Sequence, residues 1–396
     1  MTIEASAAGG ATPRRIRLGM VGGGQGAFIG GVHRMAARLD DRYELVAGAL
    51  SSEPERALAS AAELRLAPER SYIDYREMAA REAARDDGID LVAVVTPNHL
   101  HAPIARAFLD AGIDVVCDKP LTTTLAEALE LVARVRRSGR LFALTHNYSG
   151  YPMVRQARAM VRSGEIGTIH KVLVEYPQDW LTTGLEFTGQ KQAAWRVDPE
   201  QAGAGGSLGD LGSHAEHLGR FISGLTLKAV SADLHTFVDG RRLDDNAHVL
   251  LRYTNGARGM LWCSQVAPGN ENALRVRVYG SKAGLDFRQE QPNHLVFTPL
   301  GQSPRLITRA GHGSGDAARH ATRTPSGHPE GYIEGFAQLY RDVAEQIHAR
   351  WQGRAPDPQA CSVPGVEDGA LGMKFIEAVV ASSRADGRWV DAQLPP

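Results

Sequence analysis

Short apolar runs separated by amphipathic stretches occupy the first third of the chain. The apolar runs span residues 16–21, 43–50, 91–95, 114–117 and 141–144. The amphipathic stretches have the periodicity of helices and lie near residues 30–39, 54–65, 75–85, 104–111 and 125–138. Apolar strands that alternate with amphipathic helices are typical of βαβ units around a buried parallel sheet. The pattern predicts a doubly wound α/β domain over residues 14–147, preceded by a small, polar and disordered tail at residues 1–13.

The pattern changes after Asn147. A helix at 152–163, a strand at 169–176 and a helix near 210–221 are followed by strand-like runs at 228–237, 246–253, 258–267, 273–279 and 294–297. Strands in succession favour an antiparallel sheet, so residues 148–396 are predicted to form an α+β domain. Residues 301–328 show no clear period and are expected to form a long exposed loop or lid. Two helices, near 329–351 and 366–382, end the chain.

Composition and charge exclude several classes of protein. Of 396 residues, 43% are hydrophobic, while 44 Lys and Arg balance 45 Asp and Glu for a net charge of −1. That balance argues against a dedicated nucleic-acid or polybasic membrane binder. Three cysteines without a C-x-x-C pair argue against a disulfide framework or a structural zinc site. No run approaches the ~18 apolar residues of a membrane span, so we expect a soluble, cytoplasmic protein.

A glycine-rich turn follows the first strand and opens the first helix. Gly22, Gly24 and Ala27 form a G-x-G-x-x-A arrangement. The first glycine allows the tight turn, the second lets a pyrophosphate approach, and the small third residue lets the helix pack closely. We therefore predict a dinucleotide site, with a merely structural turn as the alternative. The neighbouring residues expected to contact the cofactor are Gln25, Phe28 and Ile29.

The end of the second strand bears on the choice between NAD and NADP. An NAD site often has Asp or Glu here for the ribose hydroxyls, but this chain has Ser51, followed by Arg56. A serine with an arginine suits a 2′-phosphate, so NADP is slightly favoured. The alternative is that Arg56 is a solvated helix residue beside Glu53 and Glu55.

Polar motifs follow two further strands, at the carboxyl ends where open α/β sheets bind ligands. The first runs from Thr96 to His101, and the second is Asp118-Lys119-Pro120. A third motif, Gly-Gly-Ser-Leu-Gly-Asp-Leu-Gly-Ser-His, spans residues 205–214. With these motifs and the glycine turn, the chain resembles the Gfo/Idh/MocA family of sugar and cyclitol oxidoreductases over nearly its whole length. Asp118 stands where the family more often has Glu.

The resemblance implies an architecture and a set of site residues. Family members have a Rossmann domain and an α+β domain whose open sheet face usually mediates oligomerisation, which implies a homodimer or homotetramer. By the same resemblance, Lys119, Asp210 and His214 point into the cleft where the nicotinamide meets the substrate. The residues that match positions beside the cofactor are Thr96, Pro97, Asn98, His101, Asp118 and Lys119.

These residue types suit oxidation of an alcohol. Histidine is a suitable base for the hydroxyl proton, and a lysine ammonium favours alkoxide character on the same oxygen. Asp210 and His214 are four residues apart and share a helix face, so Asp210 could orient His214 or accept a sugar hydroxyl. The alternatives are a solvated loop lysine and a buried structural histidine. His217 could join Asp210 and His214 as a metal ligand, but a substrate contact is the better interpretation, and we expect no metal.

Further candidates lie on the substrate side. By family position Tyr148 would line the sugar site, and Trp180 and Trp195 could stack on a pyranose ring. Arg196 could bind hydroxyls. This pattern is similar to the branch of the family that acts on pyranosides and anhydrosugars; the alternative is ordinary packing. His312, His320 and His328 are expected to be solvated.

The sequence thus predicts an NAD(P)-dependent dehydrogenase acting on a secondary hydroxyl of a sugar, glycoside or inositol. Two alternatives stay open. One is a redox-neutral, NAD-dependent glycosidase or epimerase, which begins with the same hydride transfer. The other is a non-catalytic cofactor-binding regulator on the same fold.

Overall fold

The computed structural model describes residues 13–395, so the tail expected at residues 1–13 lies outside it apart from Pro13. The strands are β1 Ile16–Gly22, β2 Tyr43–Ala49, β3 Leu91–Val95, β4 Asp114–Cys117, β5 Phe142–Leu144, β6 Ile169–Pro177, β7 Leu227–His235, β8 Asn246–Tyr253, β9 Arg258–Ser264, β10 Arg275–Gly280, β11 Ala283–Arg288, β12 His294–Pro299, β13 Arg305–Thr308 and β14 Val390–Asp391. The helices are α1 Phe28–Leu39, α2 Pro54–Glu63, α3 Tyr75–Ala83, α4 His101–Asp110, α5 Leu125–Ser138, α6 Pro152–Arg162, α7 Lys191–Arg196, α8 Pro199–Ala202, α9 Ser213–Ser223, α10 Asp316–His320, α11 Tyr332–Trp351 and α12 Val366–Arg384.

The first five strands form one parallel sheet in the order β2-β1-β3-β4-β5. All five residues of β3 are buried, as a central strand covered on both faces requires. The Rossmann-like α/β domain predicted from the apolar runs is confirmed. Its strands run in one direction, so their carboxyl ends, and the polar motifs that follow them, share one edge.

The remaining strands form a second sheet in the order β13-β12-β11-β10-β6-β9-β8-β7-β14. Neighbours are antiparallel except β6 and β9, so the prediction of a mainly antiparallel sheet is confirmed. Helices α6, α9 and α12 pack against one face. The other face carries Leu173, Leu250 and Met260 in adjacent register positions and is open in the single chain.

Helix α11 belongs to the first domain's core, although the sequence placed it after residue 148. It packs against α1, and Phe336, Tyr340 and Val343 are buried with Ile16 and Met20 of β1. The apolar face of α11 fills the surface that β1 and α1 leave uncovered. A helix late in the chain therefore completes the nucleotide-binding half.

The prediction of a long exposed loop at residues 301–328 is wrong in part. The segment contains β13 and α10, and Arg309 is buried, donating through Nη1 to Glu330 Oε1 at 3.0 Å. His320 is not solvated: its Nε2 lies 2.9 Å from Asp342 Oδ1. His312 and His328 are exposed, as expected. Ion pairs hold this segment in place without a regular apolar period, so the sequence pattern gave no signal.

Among residues 13–395, no helix combines the length and apolarity that crossing a membrane requires.

Candidate active site

One large cavity, of about 1380 Å³, runs along the carboxyl edge of the first sheet and reaches the second domain. At one end it is lined by the glycine-rich turn, and at the other by Lys119, Asp210 and His214. Predicted cofactor and substrate residues therefore face the same space. A cleft of this size between two domains is the usual setting for a cofactor and a small substrate.

The glycine turn has no room for side chains. Gly22 has φ of +80°, and a Cβ on it would lie 2.7 Å from the Val95 carbonyl oxygen. A Cβ on Gly24 would lie 2.7 Å from the Leu50 oxygen. Such a bare backbone turn at the start of a helix fits a pyrophosphate. The turn's flanking residues Gln25, Ala27, Phe28 and Ile29 also line the cavity.

The small residue that permits close packing is Gly30 rather than Ala27. A Cβ on Gly30 would lie 2.4 Å from Gly23 Cα, whereas Ala27 is the N-cap of α1. The third small position of the motif therefore lies at Gly30, three residues beyond Ala27, whereas Gly22 and Gly24 keep their predicted positions. Gly30 falls inside α1, where its steric role depends on tertiary packing.

Ser51 and Arg56 both line the cavity beyond β2, as predicted. The Ser51 hydroxyl accepts a hydrogen bond from the Glu53 backbone N–H at 3.1 Å. The Arg56 guanidinium lies 3.7 Å from the Glu53 carboxylate on the same helix turn. Arg56 therefore lines the part of the cavity beyond β2, but its guanidinium already has an acidic neighbour.

The motif after β3 contains residues that line the cavity and others, among them His101, that do not. Thr96, Pro97 and Asn98 line the cavity, and Thr96 Oγ1 is buried without a hydrogen-bond partner. His101 is fully buried behind them; its two ring nitrogens lie 2.8 Å from the Pro120 oxygen and 2.9 Å from the Thr96 oxygen. His101 thus holds the ends of β3 and β4 together instead of contacting the cavity.

Lys119 is held in the cavity by Asp210. Its Nζ donates to the backbone oxygen and to Oδ1 of Asp210, both at 2.8 Å. Asp118 accepts from the Lys119 backbone N–H at 3.0 Å and from Thr145 Oγ1 at 2.8 Å, which fixes the chain on either side of the strand ends. The two residues of the motif therefore have different roles. Asp118 positions the backbone, and Lys119 places its charge in the cavity.

Asp210 remains ionised although its side chain is half-buried. Burial acts to raise its pKa, but Lys119 and Arg196 outweigh that effect and hold the pKa well below its usual range. Gln265 Nε2 donates to Asp210 Oδ2 at 3.1 Å. The carboxylate thus orients Lys119, whereas the sequence analysis had left open whether it orients His214 or accepts a sugar hydroxyl.

The helix that carries Asp210 and His214 begins with an irregular turn. Residues Leu208–Gly212 are in π-helical conformation and continue directly into α9. Asp244, in the loop between β7 and β8, accepts from Gly206 N at 2.7 Å, Ser207 Oγ at 2.7 Å and Leu208 N at 2.8 Å. These bonds satisfy donors that a helix start leaves free.

His214 is neutral at physiological pH. Burial lowers its pKa well below the ordinary value, and the nearby Lys119 charge lowers it further. Its ring makes an edge-on contact with Tyr148 at a centroid distance of 4.9 Å. A neutral imidazole that faces a cavity beside an ammonium can accept a proton from a bound hydroxyl.

His217 does not reach the cavity. It is buried behind His214 and stacks on His146 with ring centroids 4.0 Å apart. Its position three residues along α9 turns it towards the helix's packed face, so the predicted substrate contact is not formed. Within residues 13–395, no three or more His, Cys, Asp or Glu side chains are grouped to hold a metal ion.

Trp180, Trp195 and Arg196 form one wall of the substrate end. The Arg196 guanidinium lies over the Trp195 ring at 4.3 Å and over the Trp180 ring at 5.9 Å. Its Nε is 3.5 Å from Asp210 Oδ2. Arg196 thus occupies one face of Trp195 and links short helix α7 to the Asp210 carboxylate.

The opposite wall contains residues that the sequence analysis missed. The Tyr148 and Tyr176 hydroxyls lie 2.6 Å apart, and Asn272 Oδ1 accepts from Tyr176 at 2.8 Å and from Gln178 Nε2 at 2.6 Å. Asn272 Nδ2 donates to Gln289 Oε1 at 3.1 Å. No local motif marks Asn272 or Gln289, which reach the cavity only through the pairing of β6, β10 and β11.

The fold and the site together define a nucleotide-dependent oxidoreductase, and comparison with known proteins gives the family. Residues 16–146 match the oxidoreductase family with an NAD-binding Rossmann fold, and residues 154–286 match the GFO/IDH/MocA C-terminal domain. The chain belongs to the GFO/IDH/MocA family of NAD-binding oxidoreductases.

Three relatives illustrate the similarity. An oxidoreductase from Sinorhizobium meliloti is 54% identical, with a TM-score of 0.87 over 96% of this chain and 100% of that one. An inositol dehydrogenase homologue from Azotobacter vinelandii, complexed with NADH and myo-inositol, is 36% identical, with a TM-score of 0.87 over 96% and 98%. Levoglucosan dehydrogenase from Pseudarthrobacter phenanthrenivorans is 28% identical over 71% of this chain and 76% of that one.

Proposed function

We propose that this protein is a dehydrogenase that moves hydride between a nicotinamide and a secondary hydroxyl or ketone of a sugar, glycoside or inositol. The observation that carries the proposal is the single cavity that joins the glycine turn to Lys119, Asp210 and His214. A regulator that only sensed the cofactor would not need a half-buried ammonium, fixed at 2.8 Å by a carboxylate, beside a neutral histidine.

The cofactor fits the residues present. Gly22 and Gly24 leave bare backbone for the pyrophosphate, and the unpartnered Thr96 Oγ1 lies in the same cavity. We propose that these residues, with Ser51 at the adenosine end, hold NAD(P). When bound, the nicotinamide supplies the carbon that accepts or returns the hydride.

In the oxidation, the protein's own residues accept one proton and stabilise one developing negative charge. His214, neutral because of its burial, accepts the proton of the substrate hydroxyl as the C–H bond loses hydride. Lys119 donates towards the same oxygen and stabilises its alkoxide character. Asp210 holds Lys119 in position through the hydrogen bonds to Nζ. In the reverse direction His214 returns the proton to the new hydroxyl.

The substrate class follows from the walls of the cavity. Amide and hydroxyl groups of Tyr148, Tyr176, Gln178 and Asn272 face an aromatic wall of Trp180 and Trp195. A ring with several hydroxyls and an apolar face suits both walls. The relatives named for inositol and for levoglucosan, an anhydrosugar, have substrates of that chemistry.

We further propose that the protein works as a homodimer or homotetramer through the open face of the second sheet. Leu250 and Met260 pair across β8 and β9 and are 51% and 39% exposed. A contiguous apolar surface of this kind is typical of an interface.

A substrate panel tests the proposed function. Pyranoses, glycosides, anhydrosugars and inositols are each incubated with NAD and with NADP, and the absorbance of the reduced nicotinamide is followed. We expect reduced cofactor to form with at least one cyclic polyol. Cleavage or epimerisation of the sugar without net reduced cofactor would instead indicate the redox-neutral alternative, and no reaction with any compound would contradict the proposed substrate class.

A further inference from the structure

The strand order shows where the two halves of a dinucleotide lie along the first sheet. The glycine turn that receives the pyrophosphate follows β1, and the adenosine side lies over β2, next to Ser51. The other nucleotide half must extend in the opposite direction, over β3, β4 and β5. The residues that follow β5 therefore border the nicotinamide.

Asn147 is one of the residues that follow β5, and its side-chain amide has a donor without a partner. It is 2% exposed, it lines the cavity, and its Nδ2 has no hydrogen-bond partner among the described residues. Its backbone is fixed, because Asn147 N donates to the Thr145 oxygen at 2.8 Å and the residue opens a short helical turn, Asn147–Gly150.

A buried amide without a partner is costly. Leaving a buried donor unsatisfied loses the hydrogen bond that the same group would make with water. The contrast with Asn98 is direct: that side chain, also buried in the cavity wall, donates through Nδ2 to the Ala202 oxygen at 2.9 Å. Asn147 is therefore poised for a partner that the protein itself does not supply.

The chemistry of the amide identifies that partner. An asparagine side chain offers both a donor and an acceptor, and a primary carboxamide offers the complementary pair. The nicotinamide carries such a carboxamide, and its half of the dinucleotide extends towards the residues that follow β5. Asn147 also directly precedes Tyr148, whose ring contacts His214 at 4.9 Å, so it borders the reacting end of the cavity.

We propose that Asn147 binds the carboxamide of the nicotinamide and so fixes the rotation of the ring relative to Lys119 and His214. The inference rests on the NAD-binding fold and not on the identity of the substrate. Asn147 is a positioning residue: it sets which face of the ring is turned towards the substrate end.

Binding measurements without any sugar test the proposal. Calorimetry compares NADH with ADP-ribose, which has the same pyrophosphate and adenosine but no nicotinamide. For Asn147→Ala we expect the NADH dissociation constant to rise about tenfold, as for one lost hydrogen bond, and the ADP-ribose constant to stay unchanged. Asn147→Asp, which keeps the volume but loses the amide donor, should also weaken NADH alone. The matched control is Asn255→Ala, in an exposed turn, which should change neither constant.

A cofactor analogue gives a second measurement, whose main comparison uses the wild-type protein alone. In the reduced 3-acetylpyridine analogue a methyl group replaces the amide nitrogen, so the wild-type protein should bind it about tenfold more weakly than NADH. Asn147→Ala should not distinguish the two. Equal weakening of NADH and ADP-ribose by the substitution would show a structural role and overturn the proposal, as would a wild-type protein that binds the analogue and NADH equally. Because no sugar is present, a wrong substrate class would leave these results unchanged.

Discussion

At the scale of single residues, Asp210 holds the Lys119 ammonium in position, and burial keeps His214 neutral. The Lys119 Nζ to Asp210 Oδ1 distance is 2.8 Å, and both side chains face the same cavity as the imidazole. A fixed hydrogen-bond donor and a neutral proton acceptor therefore line the same cavity.

Replacing either group should stop turnover without releasing the cofactor. We expect Lys119→Ala and His214→Ala each to lower kcat by at least ~100-fold, the usual scale for the loss of acid–base help, while NADH still binds. Steady-state kinetics and a fluorescence titration with NADH measure the two effects. Lys228→Ala and His312→Ala, which change exposed residues of the same types, serve as controls. Near-normal turnover in either active-site variant would remove that residue from the mechanism.

Arg56 tests the slight preference for NADP that the sequence predicts. If its guanidinium binds a 2′-phosphate, Arg56→Ala should weaken NADPH much more than NADH, by roughly tenfold, because a charge-assisted hydrogen bond is lost. Titration of both cofactors measures this. Arg136→Ala, on the exposed side of α5, is the control. Equal effects on NADH and NADPH would reject the assignment and leave Arg56 as the partner of Glu53.

At the scale of elements, the helix that carries Asp210 and His214 depends on a residue in the loop between β7 and β8. Asp244 accepts three hydrogen bonds where the π-helical turn begins, and it is 8% exposed. The start of the helix that carries Asp210 and His214 is therefore held by the loop between β7 and β8, while Lys119 of the first domain contacts Asp210 itself.

Removing this carboxylate should destabilise the protein more than the loss of an ordinary helix cap. For Asp244→Ala we expect the free energy of unfolding to fall by about 3 kcal/mol, because buried donors are left without partners. Asp74→Ala removes the exposed N-cap of α3, whose Oδ1 accepts from Arg76 N at 2.6 Å, and should cost only about 1 kcal/mol. Urea unfolding at fixed protein concentration measures both. Similar losses for the two variants would show that Asp244 is not a special anchor.

The elements that the sequence predicted are those with a clear apolar period. Strands β1 to β5 and helix α5 lie within a residue or two of their predicted bounds, since each is buried by its own side chains. Strand β13 was missed because it is a short edge strand with little burial, and α10 because ion pairs hold its surroundings. Lys119, Asp210 and His214 were predictable from motifs. Asn272, Asp244 and Gly30 were not, because their roles exist only through tertiary pairing.

At the scale of the whole molecule, the cavity draws on both sheets and on α11, which returns late in the chain to the first domain. Tyr332 and Phe336 of α11 line the same cavity as the glycine turn. The two halves of the chain are therefore interleaved around the site, and neither half encloses the cavity by itself.

The open face of the second sheet should hold subunits together. Leu250→Lys places a charge in the row formed with Met260 and Leu173, so we expect it to shift the protein from a dimer or tetramer towards monomer. Leu58→Lys, on the exposed side of α2, introduces the same charge elsewhere and should leave the assembly unchanged. Light scattering coupled to size exclusion measures the mass. An unchanged mass for Leu250→Lys would place any interface on another surface.

The most direct test of the central claim follows a single hydrogen. The best substrate from the panel is prepared with deuterium on the carbon that is oxidised, and the isolated reduced cofactor and the sugar product are examined by mass spectrometry. A dehydrogenase predicts one deuterium in the reduced cofactor for each ketone formed. Deuterium that remains in or returns to a cleaved or epimerised sugar, with no net reduced cofactor, would contradict the proposed function.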